Sequence, residues 1–345
     1  MNESWGYRLQ HLARMSDERG LFEHALFDAP RLEHGYCTDY NARLLAVASR
    51  EPDEPLARAL SRSAINFVMS AQTDAGLVHN RLGRDGTYRW MDDAGTEDWW
   101  GRAIWGLGVA ASSHPNSGLR AEASWAFRRS ARQRSPYIHA MSFAALGAAE
   151  VLAVSPPDDL ARQLLMDARE VIESHTWSSD WPWPEERLTY ANGAIAEAMI
   201  AIGTSLLDRS ALDRGLAMLE WLMQMQQSGD HLSVVGVGGR GPDDAGPQFD
   251  QQPIEVAALA DACWRAWTVT GDDTWMRGVL SAAAWFDGAN DVGVRMFDAS
   301  TGGGYDGLTP LGPNLNQGAE STLAFISTMQ RASSLQRISQ LATGR

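Results

Sequence analysis

Apolar residues recur at three- and four-residue spacing over most of the 345-residue chain. That spacing predicts helices over residues 39–50, 54–71, 97–112, 118–132, 137–153, 158–174, 191–207, 210–227, 252–270, 272–288 and 318–332. An amphipathic segment at 3–18 makes a twelfth. Strand signals are short and confined to loops: "LVHN" (77–80), "TYRW" (87–90) and "HLSVVG" (231–236).

The helices alternate in kind. One set carries charge along an exposed face, as in "DDLARQLLMDAREVIESH". The other is rich in Ala, Gly and Leu, poor in charge, and opens on a polar cluster. Those openings are "TDYNAR" from Thr38, "TEDWWGR" from Thr96, "SPYIHAM" from Ser135, "TYANGAI" from Thr189, "DQQPIEV" from Asp250 and "NQGAEST" from Asn316, at intervals of 58, 39, 54, 61 and 66 residues. The recurrence describes a repeated helical hairpin with a buried inner and an amphipathic outer helix. Six such hairpins predict one all-α domain over 1–345, an (α/α)6 toroid whose inner helices start near residues 39, 97, 136, 190, 251 and 317. The long loops 72–96, 228–249 and 289–316 fall at the same openings, where long loops are usually functional.

Polar residues at a helix start have an ordinary explanation. Thr38, Thr96, Ser135, Thr189 and Asp250 suit N-caps, Glu97 and Asp98 suit a first turn, and Pro253 suits a helix start. Capping uses one residue per helix, however. It leaves Asn41, Arg43, Arg102, Asn192, Gln251, Gln252, Glu255 and Glu320 one turn further in, on helices otherwise made for burial, where an unpaired polar group is costly. A shared polar pocket at the mouth of the toroid accounts for all of them.

Composition narrows the ligand. The chain has 29 basic residues, all Arg, against 43 acidic, for a net charge of −14. This argues against nucleic acid and anionic membranes as partners. Two cysteines and scattered histidines give no disulfide framework and no metal cluster; no metal or cofactor is expected, and Cys37 reads as a small buried thiol. No signal peptide and no bilayer-length apolar run stands out, so a soluble cytoplasmic protein is expected. "VGVGGRG" (235–241) lacks the Lys–Ser/Thr and the strand–turn–helix setting of a phosphate cradle.

Fourteen Trp point toward sugar. Trp105, Trp125, Trp264 and Trp285 read as core. Trp90, Trp99, Trp100, Trp177, Trp181 and Trp183 fall in loops beside acidic residues, where an indole can stack on a sugar ring while carboxylates and amides bind hydroxyls. "WSSDWPWPEERLTY" (177–190) adds Glu185, Glu186 and Tyr190, and "TGGGYDGL" (301–308) presents Tyr305 and Asp306. The expected substrate-binding set is Asp39, Asn41, Arg43, Glu97, Trp99, Arg102, Trp183, Tyr190, Asn192, Gln251, Gln252, Glu255, Tyr305, Asp306, Asn316, Gln317 and Glu320.

The series "HGYCTDYNARLLAVA", "GTEDWWGRAIWGLG", "WPWPEERLTYANG", "FDQQPIEVAALADAC" and "GGGYDGL…NLNQGAESTLAF" resembles a bacterial family of six-hairpin glycosidase-like proteins, often encoded beside glycosyltransferases and mannoside phosphorylases. The resemblance spans about residues 34 to 330 and implies the toroid and carbohydrate chemistry. Against the family's "TDDNAR" and "TYDNAR", Tyr40 and Ala191 each stand in place of an acidic residue, and an arginine is lost near Gly193. Glu97, Asp98, Asp250, Glu255, Asp306 and Glu320 remain as acids.

Glycoside hydrolysis needs two carboxylates in different environments. Asp98, followed by two Trp that could exclude water, is expected as general acid. Asp250, between Gln251, Gln252 and a helix N-terminus, is expected as general base or nucleophile. The expected function is hydrolysis of a mannoside-like oligosaccharide, or related glycan processing such as phosphorolysis. The alternatives are a sugar epimerase or isomerase using histidines, with His34, His79 and His139 near helix openings and His139 on an inner helix, or a non-catalytic glycan-binding protein.

Overall fold

The computed structural model describes residues 7–52, 54–84, 88–174, 178 and 180–343. They form twelve α-helices: α1 Gln10–Arg14, α2 Thr38–Ser49, α3 Pro55–Ala71, α4 Asp98–Ser113, α5 Ser117–Ser130, α6 Ile138–Val154, α7 Asp159–Glu173, α8 Gly193–Ser205, α9 Arg209–Met225, α10 Pro253–Thr270, α11 Asp273–Phe286 and α12 Ala319–Thr343. Short antiparallel pairs decorate the loops: β1 Ala25–Leu26 with β2 Ala29–Pro30, β3 Tyr36–Cys37 with β4 Arg81–Leu82, β5 Gln227–Ser228 with β6 His231–Leu232, and β7 Gly307–Thr309 with β8 Gly312–Asn314. Trp177 and Thr87 lie outside the described residues.

Helices α2, α4, α6, α8, α10 and α12 pack in sequence order, and α12 closes the ring against α2. Each of α3, α5, α7, α9 and α11 packs outside the inner helix before it. This is the (α/α)6 toroid. The two kinds of helix follow from their surfaces. α6 is buried on nearly every side, whereas α7 buries only Ala161, Leu164, Leu165, Ala168 and Ile172, a single helical stripe. Small residues let the inner helices approach closely. Gly101 and Gly108 of α4 meet the main chain of Ala140 and Gly147 on α6, where an added β-carbon would overlap it.

Three expectations are corrected. Trp125, expected in the core, is 54% exposed with the Arg129 guanidinium over its ring. The amphipathic segment 3–18 yields only α1 among the described residues, because Asp17 Oδ1 accepts the N–H groups of Arg19 and Gly20 and turns the chain. α1 nevertheless packs on α12 in the sixth outer position. α12 also continues past residue 332 to Thr343. Its last turns are Ser- and Gln-rich and leave Ile338 and Leu341 exposed, so apolar periodicity does not mark them.

Capping separates the two sets more sharply than sequence suggests. Four outer helices are capped by side chains, Asn116 accepting from Leu119 N–H, Asp158 from Ala161, Asp208 from Ala211 and Asp272 from Thr274, while α3 starts on Pro55 with no side-chain cap from Glu54. The inner helices α2, α4, α6, α8 and α10 have no side-chain cap from their N-cap residues. Thr38, expected as a cap, instead donates its hydroxyl to the carbonyl of His79. Helix ends account for only part of the polar groups at the mouth: Glu255 accepts from Asn192 N–H at the start of α8 and Asp306 from Gly318 N–H before α12, whereas Asp39, Asp98 and Glu320 meet other side chains.

The opposite end of the lumen is closed by charge. Arg331 Nε lies 2.5 Å from Asp261, and Arg265 reaches Glu197 at 2.8 Å and Glu150 at 2.9 Å. Arg50 is 3.5 Å from Asp261 and donates to Ser327 at 2.9 Å. Burial, with Arg331 nearby, pushes the Arg50 guanidinium down to about 10. Among the described residues no helix is long and apolar enough to cross a membrane.

Candidate active site

The mouth is built from the first turns of the inner helices and the loops before them. On α2, Asp39 lies 2.7 Å from Nε of Arg43 and 2.9 Å from Nε of Arg102 on α4, and Arg43 also reaches Glu320 of α12 at 3.2 Å. Both guanidiniums are buried, and that of Arg102 lies 3.9 Å over the ring of Phe143. Burial and the neighbouring Arg43 lower the pKa of Arg102. For Arg43, Asp39 and Glu320 outweigh burial and raise it. The ion lattice thus ties three inner helices together across the ring.

Beside it, the Tyr190 hydroxyl donates to Asp98 Oδ2 at 2.5 Å. Burial and Asp98 raise the Tyr190 pKa, so its proton stays in place for that bond. Tyr190 stacks on His139, ring centroids 4.5 Å apart. Nε2 of His139 lies 3.2 Å from Glu185 and 3.2 Å from the Thr189 hydroxyl, while its buried Nδ1 has no hydrogen-bond partner. Asp98, Tyr190 and His139 come from three consecutive hairpins and meet on one side of the mouth.

Glu255 sits beneath them. Its carboxylate accepts from the backbone N–H of Asn192 at 2.9 Å and from Gln226 Nε2 at 2.7 Å. Burial outweighs these bonds and raises its pKa. It lines a cleft of about 340 Å³ with Thr189, Tyr190, Gln252 and the turn 235–239. A second cleft, about 310 Å³, is lined by Glu23, His24, Tyr40, Asp250, Gln252, Asp306 and Glu320. The two share Gln252. Below the mouth a cavity of about 50 Å³ runs down the lumen from Arg43 and Arg102 past Trp105 and Phe143 to Glu197 and Asp261.

Asp39, Arg43, Asp98, Arg102, Tyr190, Gln252, Glu255, Asp306 and Glu320 therefore gather at the mouth. Asp306 doubles as a brace, its Oδ1 accepting from Gly318 N–H at 2.8 Å and from Ser321 Oγ at 2.6 Å. Glu97 precedes α4, with a buried Oε2 that has no hydrogen-bond partner. Tyr305 packs on the core from the neighbouring loop.

Several expected ligands of substrate turn inward instead. Asn41 is fully buried and binds both polar atoms of the Leu21 backbone, holding the N-terminal segment. Gln251 is fully buried, donating to Asp291 at 2.5 Å and accepting from Trp285 at 3.3 Å. Asn192 is buried and accepts from Thr189 N–H. Gln317 accepts from Thr301, and Asn316 from Phe27 N–H. Trp183 is 1% exposed and stacks on Trp221, and Trp99 donates to the Val78 carbonyl. Trp100 is buried against Ser130, so the group against Asp98 is Tyr190 and not the two indoles. Trp99 and Trp100 lie on α4 and not in a loop, and large aromatics make long-range contacts that local pattern cannot show.

Glu23 and His24 were not anticipated. Glu23 is buried and pairs with Arg81, and nothing in its local sequence marks it as part of the second cleft. His139 was anticipated only for the histidine-based alternative.

By sequence, the chain matches no protein-family profile and no curated protein. By structure it is similar over nearly its whole length to several solved proteins. A sugar epimerase from a ruminal bacterium superposes with TM-score 0.71 at 11% identity, covering 95% of each chain. A D-mannose isomerase gives 0.67 at 13%, covering 94% of each. A GH76 alpha-mannanase from Bacteroides thetaiotaomicron gives 0.65 at 10%, covering 96% of this chain and 95% of the other. At these identities the likeness is one of fold, and it places the chain among (α/α)6 toroids.

Proposed function

We propose that the protein is a carbohydrate-active enzyme, a glycoside hydrolase acting on a mannoside-like oligosaccharide through paired carboxylates. The observation that carries this is the gathering of Asp39, Asp98, Glu255 and Glu320, from the first turns of four inner helices, at a mouth flanked by two clefts. Asp98 is the proposed general acid. Its Oδ2 is held by Tyr190, which leaves Oδ1 to carry a proton toward a leaving oxygen. Asp250 is the proposed general base or nucleophile; it is exposed and lines the second cleft, where a water or an anomeric carbon has access. The mannoside preference rests on the family resemblance, and the names of two structural neighbours agree with it.

A second reading is supported by His139. A buried imidazole with a carboxylate on one nitrogen and a tyrosine ring on its face suits proton transfer at a carbon beside a sugar carbonyl, as an epimerase or isomerase needs. Incubation with mannose, mannobiose and longer α- and β-linked manno-oligosaccharides, followed by NMR, separates the two. New reducing ends support hydrolysis. A new isomer of unchanged length supports the histidine chemistry. Binding without either product overturns both.

A further inference from the structure

Among the described residues Trp183 and Trp99 turn inward, and a well-exposed aromatic ring stands elsewhere on the rim. Phe27 sits at the tip of the β1–β2 hairpin, between the paired residues Leu26 and Ala29. Its side chain is exposed at 58%, and it is not among the residues that pack on the core. Its φ is 52°, a left-handed conformation that glycine adopts freely and a phenylalanine rarely does. Strained exposed residues of this kind cluster at functional sites.

The hairpin is fastened to the second cleft. Phe27 N–H donates to Asn316 Oδ1 at 2.9 Å, and its carbonyl accepts from Gln317 N–H at 2.8 Å. Asn316 and Gln317 lie between Asn314 and Gly318, both of which line that cleft, as does His24 three residues before Phe27. Leu26, Leu311 and Leu315 are also exposed on the same loops, so this side of the mouth is apolar above an acidic floor. The two-residue hairpin turn requires the positive φ at its first central residue, a place usually held by glycine, and the phenylalanine ring that stands there packs on no core.

We propose that Phe27 is a stacking platform for a further sugar ring of an oligosaccharide whose reacting end lies in the cleft with Asp250. The inference rests on the hydrolase reading of that site. A pyranose presents a face of C–H groups that an aromatic ring covers, while its hydroxyls stay in solvent. One ring of this kind adds selectivity for chain length and no chemistry.

The test measures affinities of wild type and Phe27→Gly for mannose, mannobiose, mannotriose and mannotetraose by calorimetry, with initial rates where the sugar turns over. Glycine suits the backbone, and the ring packs on no core, so the melting temperature should hold or rise. Affinity for the longer sugars should fall roughly three- to tenfold and that for the shortest should not change. Phe27→Tyr should retain the wild-type preference. If wild type favours longer sugars and Phe27→Gly keeps that preference in full, this inference alone is overturned. If wild type binds none of these sugars, the proposed function falls with it.

Discussion

Glu255→Gln perturbs the site by one atom. In the wild type both carboxylate oxygens accept buried N–H groups, from Asn192 at 2.9 Å and from Gln226 at 2.7 Å. A glutamine keeps one acceptor and turns the other into a donor. With its oxygen toward Asn192, its NH₂ faces the NH₂ of Gln226. Gln226 cannot flip to help, because its own oxygen accepts from Val235 N–H at 3.0 Å. With the amide reversed, the NH₂ faces the Asn192 N–H. Either way a buried donor is left unsatisfied, at about 1–3 kcal/mol. For 345 residues the unfolding entropy is on the order of 0.7 kcal/mol per kelvin, so the melting temperature should drop roughly 1.5–4 °C. Because burial raises the Glu255 pKa, its contribution is complete below about pH 4.3 and declines as pH rises through the folded value. The variant has no such decline, so the gap should narrow with rising pH. Scanning calorimetry across pH 4–8 reads both effects. A variant as stable as wild type throughout would refute the hydrogen-bond assignment.

Tyr190→Phe removes the donor to Asp98 from a half-exposed ring, so kcat on the proposed substrate should fall about tenfold with little change in melting temperature. Asp261→Ala strands Arg331 and Arg50 at the closed end of the lumen and should cost about 3–5 kcal/mol, read by denaturant unfolding. A hydrogen bond with Asp291, helped by Asp230, outweighs burial and raises the His231 pKa; the stability this gives is complete below about pH 6.5 and fades as pH rises through the folded value. Asp291→Asn should therefore flatten the decline in melting temperature above pH 6.5, apart from any uniform loss through Gln251.

The repeat was legible because burial imposes it locally. A helix wrapped on all sides must be rich in Ala, Gly and Leu, and α4, α6 and α8 begin within three residues of their expected starts. The mouth acids were legible because a polar group on such a helix has no local reason to be there. What the pattern could not show is which polar groups are consumed inside. Asn41 and Gln251 look like Arg43 and Gln252 in sequence, and only their long-range partners, Leu21 and Asp291, set them apart. The aromatic residues invert for the same reason: Trp183 meets Trp221 across the fold, while Phe27, in an unremarked "ALFDAP", is left outside.

The central claim is that acids at the entries to the inner helices do chemistry while the polar caps of α5, α7, α9 and α11 hold the fold. Asp98→Asn, Asp250→Asn and Asn116→Ala, assayed together for turnover and melting temperature on the sugar that wild type processes, test it most directly. Each rim variant should lose about 10²–10⁴-fold in rate at near-wild-type stability. Asn116→Ala, which removes the cap on Leu119 N–H, should lose about 1 kcal/mol of stability and keep its rate. Rim variants that turn over normally but melt early would contradict the account and return those acids to the helix ends.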